Sequence, residues 1–130
     1  MPPVFRHPAD NEKSTHSAYF ALTPAALAAE GEGPVLTAFG KRTGVRFADI
    51  FDGTSNTLAV VEAKREIPWT RPDDLVFDPE KPLPELGGFF ADGFNAALCD
   101  GSVRFISGKV DAATLKILIS PQGGEAVPQY

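Results

Sequence analysis

The chain has 130 residues, 43% of them hydrophobic, and contains 12 glycines and 12 prolines. This length suits one domain with a single core, and so many turn-forming residues disfavour long helices. Seventeen acidic against twelve basic residues give a net charge of −5, and the longest basic runs are the pairs Lys41-Arg42 and Lys64-Arg65. The concentrated positive charge that nucleic-acid binding requires is therefore missing. The single cysteine, Cys99, excludes an internal disulfide, and its apolar neighbours predict a small buried side chain. No apolar run reaches the length of a membrane span.

The N-terminal part of the chain predicts short elements separated by turns. Residues 1–16 are polar and predict an irregular arm, and residues 17–22 predict a strand. Thr23-Pro24 predicts the capped start of a short helix over residues 25–30. The apolar residues within 47–51 have the spacing of a single helical turn packed on a core.

The middle of the chain joins a turn, a strand and a proline-rich segment. Asp52-Gly53-Thr54-Ser55-Asn56 is a turn signal, and the β-branched residues of 57–62 predict a strand after it. Residues 67–86 contain five prolines, which cannot donate to a sheet. This segment predicts a long ordered loop, held on the body of the domain by Trp69 and Phe77.

The strongest local pattern lies near the C-terminus. Asp100-Gly101 separates two strand-like runs, 94–99 and 102–106, and predicts a β-hairpin with a type I′ turn. Asp111 then predicts the N-cap of a helix over residues 112–120.

Together these elements predict one globular domain over residues 1–130. Its parts are the arm 1–16, the proline-rich loop 67–86 and the hairpin plus helix of 87–125. Short strands mixed with short helices indicate an α+β fold with an antiparallel sheet.

No catalytic pattern occurs in the sequence. There is no Gly-x-Ser-x-Gly, no phosphate-binding loop, no His-Glu-x-x-His and no pair of cysteines. Cys99 with His7 or His16 is the remaining combination of thiol and base, and both histidines lie in an arm that we expect to be loose. We therefore expect no catalytic residue and no enzymatic role.

Oxygen-bearing side chains near the turns raise the alternative of a structural calcium ion. The candidates are Asp52, Asn56, Glu62, Asp92 and Asp100. Their order does not match a calcium-binding loop, and Asp and Asn also close turns through their own side chains, which is the favoured interpretation. Asp52, Asn56 and Asp100 remain the candidates for a cation.

The hairpin itself permits two interpretations. A hairpin strand can add a strand from a bound peptide, which would make 102–106 a peptide-binding edge. Packing of an amphipathic hairpin on its own helix explains the same residues and is favoured.

Residues 87–125 resemble the tail of a bacterial prepilin-type family that is abundant in planctomycetes and classed as domain of unknown function 1559. That tail carries a histidine, nine residues and then Asp-Gly. Here Asp100-Gly101 stands in the Asp-Gly position, Gly88 and Asn95 lie in the expected places before it, and Gly123-Gly124-Glu125 matches the ending.

Two upstream segments extend the resemblance over nearly the whole chain. Asp52-Gly53-Thr54-Ser55-Asn56, followed by Glu62 and Trp69, resembles a second block of the family. Phe5-Arg6-His7-Pro8-Ala9-Asp10 resembles its Cys-Pro-Ser-Asp start, with His7 in the cysteine position. Two features depart from the family: Phe90 replaces the tail histidine, and the long hydrophobic N-terminal helix is absent from this chain.

The resemblance implies a pilin- or pseudopilin-like globular domain with a structural or interaction role in a cell-envelope or secretion-related protein. It places the domain in the envelope or outside the cell if the full protein carries a pilin-type helix, and in the cytoplasm otherwise. Protein partners or self-assembly through that helix are implied, with no nucleic acid, no cofactor and no membrane contact by this chain itself. A soluble ligand- or cation-binding module is the alternative, and an uncharacterised enzyme ranks third.

Overall fold

A computed structural model describes residues 1–11, 14–27 and 33–130. Within these residues the strands are β1 (Tyr19–Pro24), β2 (Leu58–Glu62), β3 (Leu75–Phe77), β4 (Gly93–Leu98) and β5 (Val103–Ser107), and the one α-helix is α1 (Ala112–Ile119). Short 3-10 turns occur at Pro3–Phe5, Phe47–Asp49 and Thr54–Asn56.

The strands form one mixed sheet in the order β3-β1-β2-β4-β5. The α+β fold is therefore confirmed. The prediction of an antiparallel sheet is wrong in one respect, because β3 pairs in parallel with β1, with Leu22 opposite Leu75. The physical reason lies in residues 63–74, which are long enough to carry the chain from β2 across to the far side of β1.

The core lies between one face of the sheet, here called the inner face, and α1. Leu22, Leu58 and Ile106 of the sheet and Leu118 and Ile119 of the helix are fully buried in it. The remaining buried members of this cluster are Phe20, Val61, Ala63, Leu75, Phe77, Phe94, Ala96 and Leu98. Alternation along the strands places the other side chains on the opposite, outer face.

The hairpin of β4 and β5 is confirmed, but its loop differs from the predicted type I′ turn. Leu98 N–H donates to Ser102 O at 2.9 Å and Gly101 N–H donates to Leu98 O at 2.9 Å, so three residues form the loop. Gly101 has a φ of 85°, as expected for the glycine that ends a three-residue loop. The Asp100 carboxylate stabilises this loop, because Oδ1 accepts the Ser102 N–H at 2.9 Å and the Ser102 hydroxyl at 2.6 Å.

The proline-rich segment holds more structure than a loop. It contains β3, and Phe77 is buried as predicted. The prediction that Trp69 anchors the segment in the core is wrong, because Trp69 is 40% exposed and stacks on Phe5 at 5.9 Å between ring centroids.

One further helical prediction, the helix start at Thr23-Pro24, is wrong, and a second is confirmed only in part. The single turn within 47–51 forms as the 3-10 turn Phe47–Asp49, but its two phenylalanines do not pack on the core. Thr23-Pro24 belongs to β1 and caps no helix, because these two residues pair with Val76 and Phe77 of β3. The predicted helix that follows lies in part outside the described residues. In the 47–51 segment, Phe47 and Phe51 are 74% and 73% exposed, and Ile50 is the residue that enters the interior.

The C-terminal helix follows its prediction closely. The Asp111 side chain accepts the Thr114 N–H at 2.9 Å and the Thr114 hydroxyl at 3.0 Å, which confirms the N-cap. The helix ends at Ile119, before Pro121. In the described part of the chain, no helix is long and apolar enough to cross a membrane.

The loop geometry predicts the effect of a substitution at Gly101. A Cβ at this position would meet no atom within 4 Å, so the φ of 85° alone makes a side chain unfavourable there. We expect Gly101→Val to lower the free energy of unfolding by more than about 1 kcal/mol, because a β-branched residue resists positive φ. Asparagine tolerates this conformation, so Gly101→Asn should lower the free energy of unfolding much less. Equal urea midpoints for wild type and Gly101→Val would contradict this account.

The cap of α1 predicts a pH dependence of stability. The Thr114 backbone N–H, followed by the Thr114 hydroxyl, lowers the pKa of Asp111. The folded state therefore favours the charged form of Asp111. The contribution of this carboxylate to the free energy of unfolding is complete above its unfolded pKa of about 4, and it is lost as the pH falls through its lower folded pKa. Asp111→Asn should therefore melt below wild type at neutral pH, and the difference should vanish in acid. Asp74→Asn controls for net charge, and a difference that persists unchanged in acid would refute the assignment.

Candidate functional site

A buried polar cluster links the N-terminal arm to the outer face of the sheet. His7 Nε2 lies 2.8 Å from Glu62 Oε1, and both side chains are buried, with 0% and 4% of their surface exposed. Glu62 Oε2 accepts the Asn95 backbone N–H at 2.7 Å, and Oε1 accepts Asn95 Nδ2 at 3.0 Å. His7, Glu62 and Asn95 form what we call the His7 clamp.

The hydrogen bonds determine the protonation pattern of the His7 clamp. Ala9 N–H donates to His7 Nδ1 at 3.0 Å, so Nδ1 is an acceptor without a proton. Nε2 then carries the proton and donates it to Glu62. The Glu62 carboxylate receives hydrogen bonds from His7 and from two groups of Asn95, which is the environment that a buried carboxylate requires.

Local sequence explains how each member reaches the clamp. Pro8 is the second residue of a turn closed by Asp10 N–H to His7 O at 3.0 Å, and this turn also brings the Ala9 N–H to the imidazole. Glu62, the last residue of β2, points to the outer face because its chain neighbours Val61 and Ala63 enter the core.

Aromatic rings surround the imidazole on the outer face. His7 stacks on Phe89 with ring centroids 4.0 Å apart, and Phe90 meets it edge-on at 5.2 Å. Tyr19 lies 6.1 Å away, and burial followed by the negative charge of Glu62 raises the pKa of Tyr19. Phe90, which stands where the resembled family has a histidine, thus contacts the arm histidine directly.

The arrangement of the His7 clamp is that of a structural cross-link. Both imidazole nitrogens of His7 are engaged, so neither has a free lone pair or proton for a substrate. The clamp therefore ties the arm to β2 and β4 and supplies no accessible acid or base while the arm is in place.

A second polar cluster, which we call the Asp52 clamp, holds the C-terminal tail. Asp52 Oδ2 accepts Gly123 N–H and Oδ1 accepts Gly124 N–H, each at 2.8 Å. Asn56 Nδ2 donates to Asp52 O at 3.1 Å and supports the turn from which Asp52 projects. Gly53 has a φ of 91°, which a residue with a side chain rarely adopts.

The turn that carries Asp52 also holds the hairpin loop. Asp100 N–H donates to Thr54 O at 3.0 Å, and Cys99 N–H donates to Thr57 O at 2.9 Å. The Asp-Gly-Thr-Ser-Asn block and the Asp-Gly hairpin, which sequence analysis treated as separate motifs, are therefore in direct contact.

The structure brings the cation candidates into these contacts and not into one metal site. The carboxylates of Asp52 and Asp100 each accept two hydrogen bonds from the protein, and Asn56 uses its amide within the turn. Among the described residues, no group of three or more His, Cys, Asp or Glu side chains is placed to hold a metal ion.

The other predicted residues have local roles. Ser55 is exposed in the 3-10 turn. Gly88 has a φ of 98°, and a Cβ there would lie 3.0 Å from Lys64 Cβ. Cys99 is half-buried and outside the core, contrary to its prediction; burial followed by the charge of Asp100 raises the pKa of its thiol.

Sequence reasoning missed His7. It placed both histidines in a loose arm, and the structure instead buries His7 completely. The available signal was the His7-Pro8-Ala9-Asp10 turn, with proline in the second position. His16 is half-buried, and its backbone pairs with that of Pro68 in an isolated antiparallel β-bridge.

Fold and clamps together define a small α+β domain whose terminal segments are fastened by carboxylates, the buried Glu62 of β2 for the N-terminal arm and the half-buried Asp52 for the C-terminal tail. The family model described as protein of unknown function (DUF1559), short name SBP_bac_10, matches residues 2–85. Since this is more than half of the chain, the protein belongs to that family. The match includes the arm, β1, β2 and β3, and the β4–β5 hairpin lies beyond it. No curated protein and no solved structure gives a significant match.

The His7 clamp predicts the effect of removing one charge. In Glu62→Gln the new amide would place an N–H against either Asn95 N–H or His7 Nε2–H, so one donor loses its acceptor. We expect a loss of about 1–3 kcal/mol in the free energy of unfolding, measured with urea. Glu66→Gln, at an exposed position of the same chain segment, should stay within about 0.5 kcal/mol of wild type. Equal losses in the two variants would contradict the clamp.

Proposed function

We propose that this domain is a non-catalytic structural or interaction domain of a pseudopilin-like cell-envelope protein, and that the outer face of its sheet is the contact surface. The observation that carries the proposal is the apolar character of the exposed part of that face, beside the His7 clamp. A sheet face turned to water normally carries polar side chains, and an exposed apolar patch marks an interaction surface.

The composition of the outer face supports a helical partner. Tyr19, Val103 and Phe105 are 38%, 68% and 48% exposed there. Small side chains lie between them, and a depression of about 130 Å³ is lined by Val60, Ala97 and their neighbours. A row of small side chains flanked by larger ones forms a groove. Such a groove lets the apolar side of a helix approach the sheet closely.

The clamps support a role without chemistry. The polar groups of the His7 clamp are occupied by one another, and the carboxylate of Asp52 is occupied by the C-terminal backbone. The resemblance to prepilin-type proteins favours the same role, since a pseudopilin domain acts through contacts and assembly.

The proposal is tested in the natural host. A photoreactive amino acid at Ala97, on the outer face, should cross-link to a hydrophobic helix or a partner in the envelope fraction, whereas the same amino acid at Lys109, outside that face, should not. With the photoreactive amino acid kept at Ala97, Val60→Glu should abolish the cross-link without unfolding the domain, because it places a charge in the apolar depression beside the probe. Recovery of the protein in the cytoplasmic fraction, with a reading frame that encodes no hydrophobic helix upstream of Met1, would overturn the envelope location.

A further inference from the structure

The two edges of the sheet differ in how well they are protected. β3, at one edge, has only three residues and is flanked by Asp73-Asp74 and Asp78-Pro79, which hinder pairing with another strand. β5, at the other edge, has five residues with no proline and no lysine. An edge of this kind is open to an added strand.

The hydrogen-bond register shows which groups of β5 are free. Leu98 pairs with Ser102, and Gly108 N–H donates to Asp92 O at 2.8 Å, so the alternate residues Arg104 and Ile106 direct their backbone groups toward β4. Val103 and Phe105 consequently direct their N–H and C=O groups outward. In the described parts of the chain, neither residue has a backbone partner on that side.

A cleft that several apolar side chains line begins where β5 ends. It has a volume of about 260 Å³, includes Ser107 and Gly108 in its wall, and is lined by apolar side chains. These are Leu83, Leu86, Phe90, Phe94, Val110 and Leu115. In strand addition the backbone bonds supply affinity and such a cleft supplies specificity, because it receives one side chain of the added segment.

Charge argues against a second copy of the same chain as the added strand. Arg104 is the one charged side chain of β5, is exposed, and contacts Tyr130 through its ring at 5.7 Å and its hydroxyl at 3.2 Å. Antiparallel pairing of two β5 strands through Val103 and Phe105 would place Arg104 opposite its copy. Like charges directly opposite each other are destabilising, whereas an acidic residue there would be favourable.

We propose that the free edge of β5 binds an extended segment of a different protein as a sixth strand. This segment has an acidic residue opposite Arg104, apolar residues on either side of it next to Val103 and Phe105, and an apolar side chain at its end that enters the cleft beyond Ser107. The proposal does not depend on the outer face, which binds a helix in the function proposed above.

The probe is a capped synthetic peptide that alternates valine and threonine around a central glutamate, with leucine at each end so that either strand direction reaches the cleft. A twin peptide has lysine in place of glutamate. We expect the first peptide to slow amide hydrogen exchange at Val103 and Phe105 and to shift their NMR signals, and the twin to bind about fivefold more weakly. In Arg104→Glu this preference should reverse.

A second pair of variants tests the backbone contacts. Val103→Pro removes an outward N–H that β4 does not use, and edge strands tolerate such a proline. It should lose peptide binding with the fold retained, whereas Val103→Thr should keep it. If Val103→Pro does not fold, the charge reversal in Arg104→Glu decides the question.

Three results would overturn the proposal. The first is unchanged exchange at Val103 and Phe105 at millimolar peptide. The second is a set of NMR shifts confined to Tyr19, Val60 and Ala97, which would place the peptide on the outer face. The third is a sedimenting dimer in which Val103 and Phe105 are protected without peptide, which would identify a second copy as the occupant.

Discussion

The buried carboxylate of Glu62 is the interaction on which the arrangement of this domain depends. A charge removed from water must be compensated by donors, and no single element supplies enough of them. Asn95 on the neighbouring strand provides two, and His7 in the arm provides the third. An arm whose Val4 and Phe5 are exposed is thereby fastened to the sheet by one buried imidazole.

A second carboxylate, which is only half-buried, fastens the opposite end of the chain. Asp52 holds the backbone of Gly123 and Gly124, and the turn beside it holds the loop of the hairpin. A chain with a single cysteine has no internal disulfide to restrain its termini, and carboxylates bonded to backbone or imidazole N–H groups take that role. Polar motifs that resemble a ligand site in sequence act here as internal fastenings. The described residues instead leave uncovered the exposed part of the outer face and the edge of β5, the two surfaces that we propose for protein contacts.

Sequence predicted the elements whose signals are local. The cap at Asp111, the strand after the Asp52 turn and the hairpin around Gly101 were found because each depends on residues within a few positions. It misjudged elements whose position depends on remote parts of the chain. A three-residue strand at 75–77 between prolines has no pattern of its own, and the exposure of Trp69 depends on the arm that it stacks against.

The sequence by itself determined an α+β domain of short elements, its C-terminal hairpin and helix, and its family. Only the tertiary structure decided that His7 is buried, that Asp52 binds the tail, and that β3 runs parallel to β1. It also decided that the described residues leave part of the outer face and the edge of β5 uncovered. The reason is physical. Backbone propensity, capping and alternation act over a few residues, whereas the pairing of a buried charge and the choice of strand neighbour are settled between residues far apart in the chain.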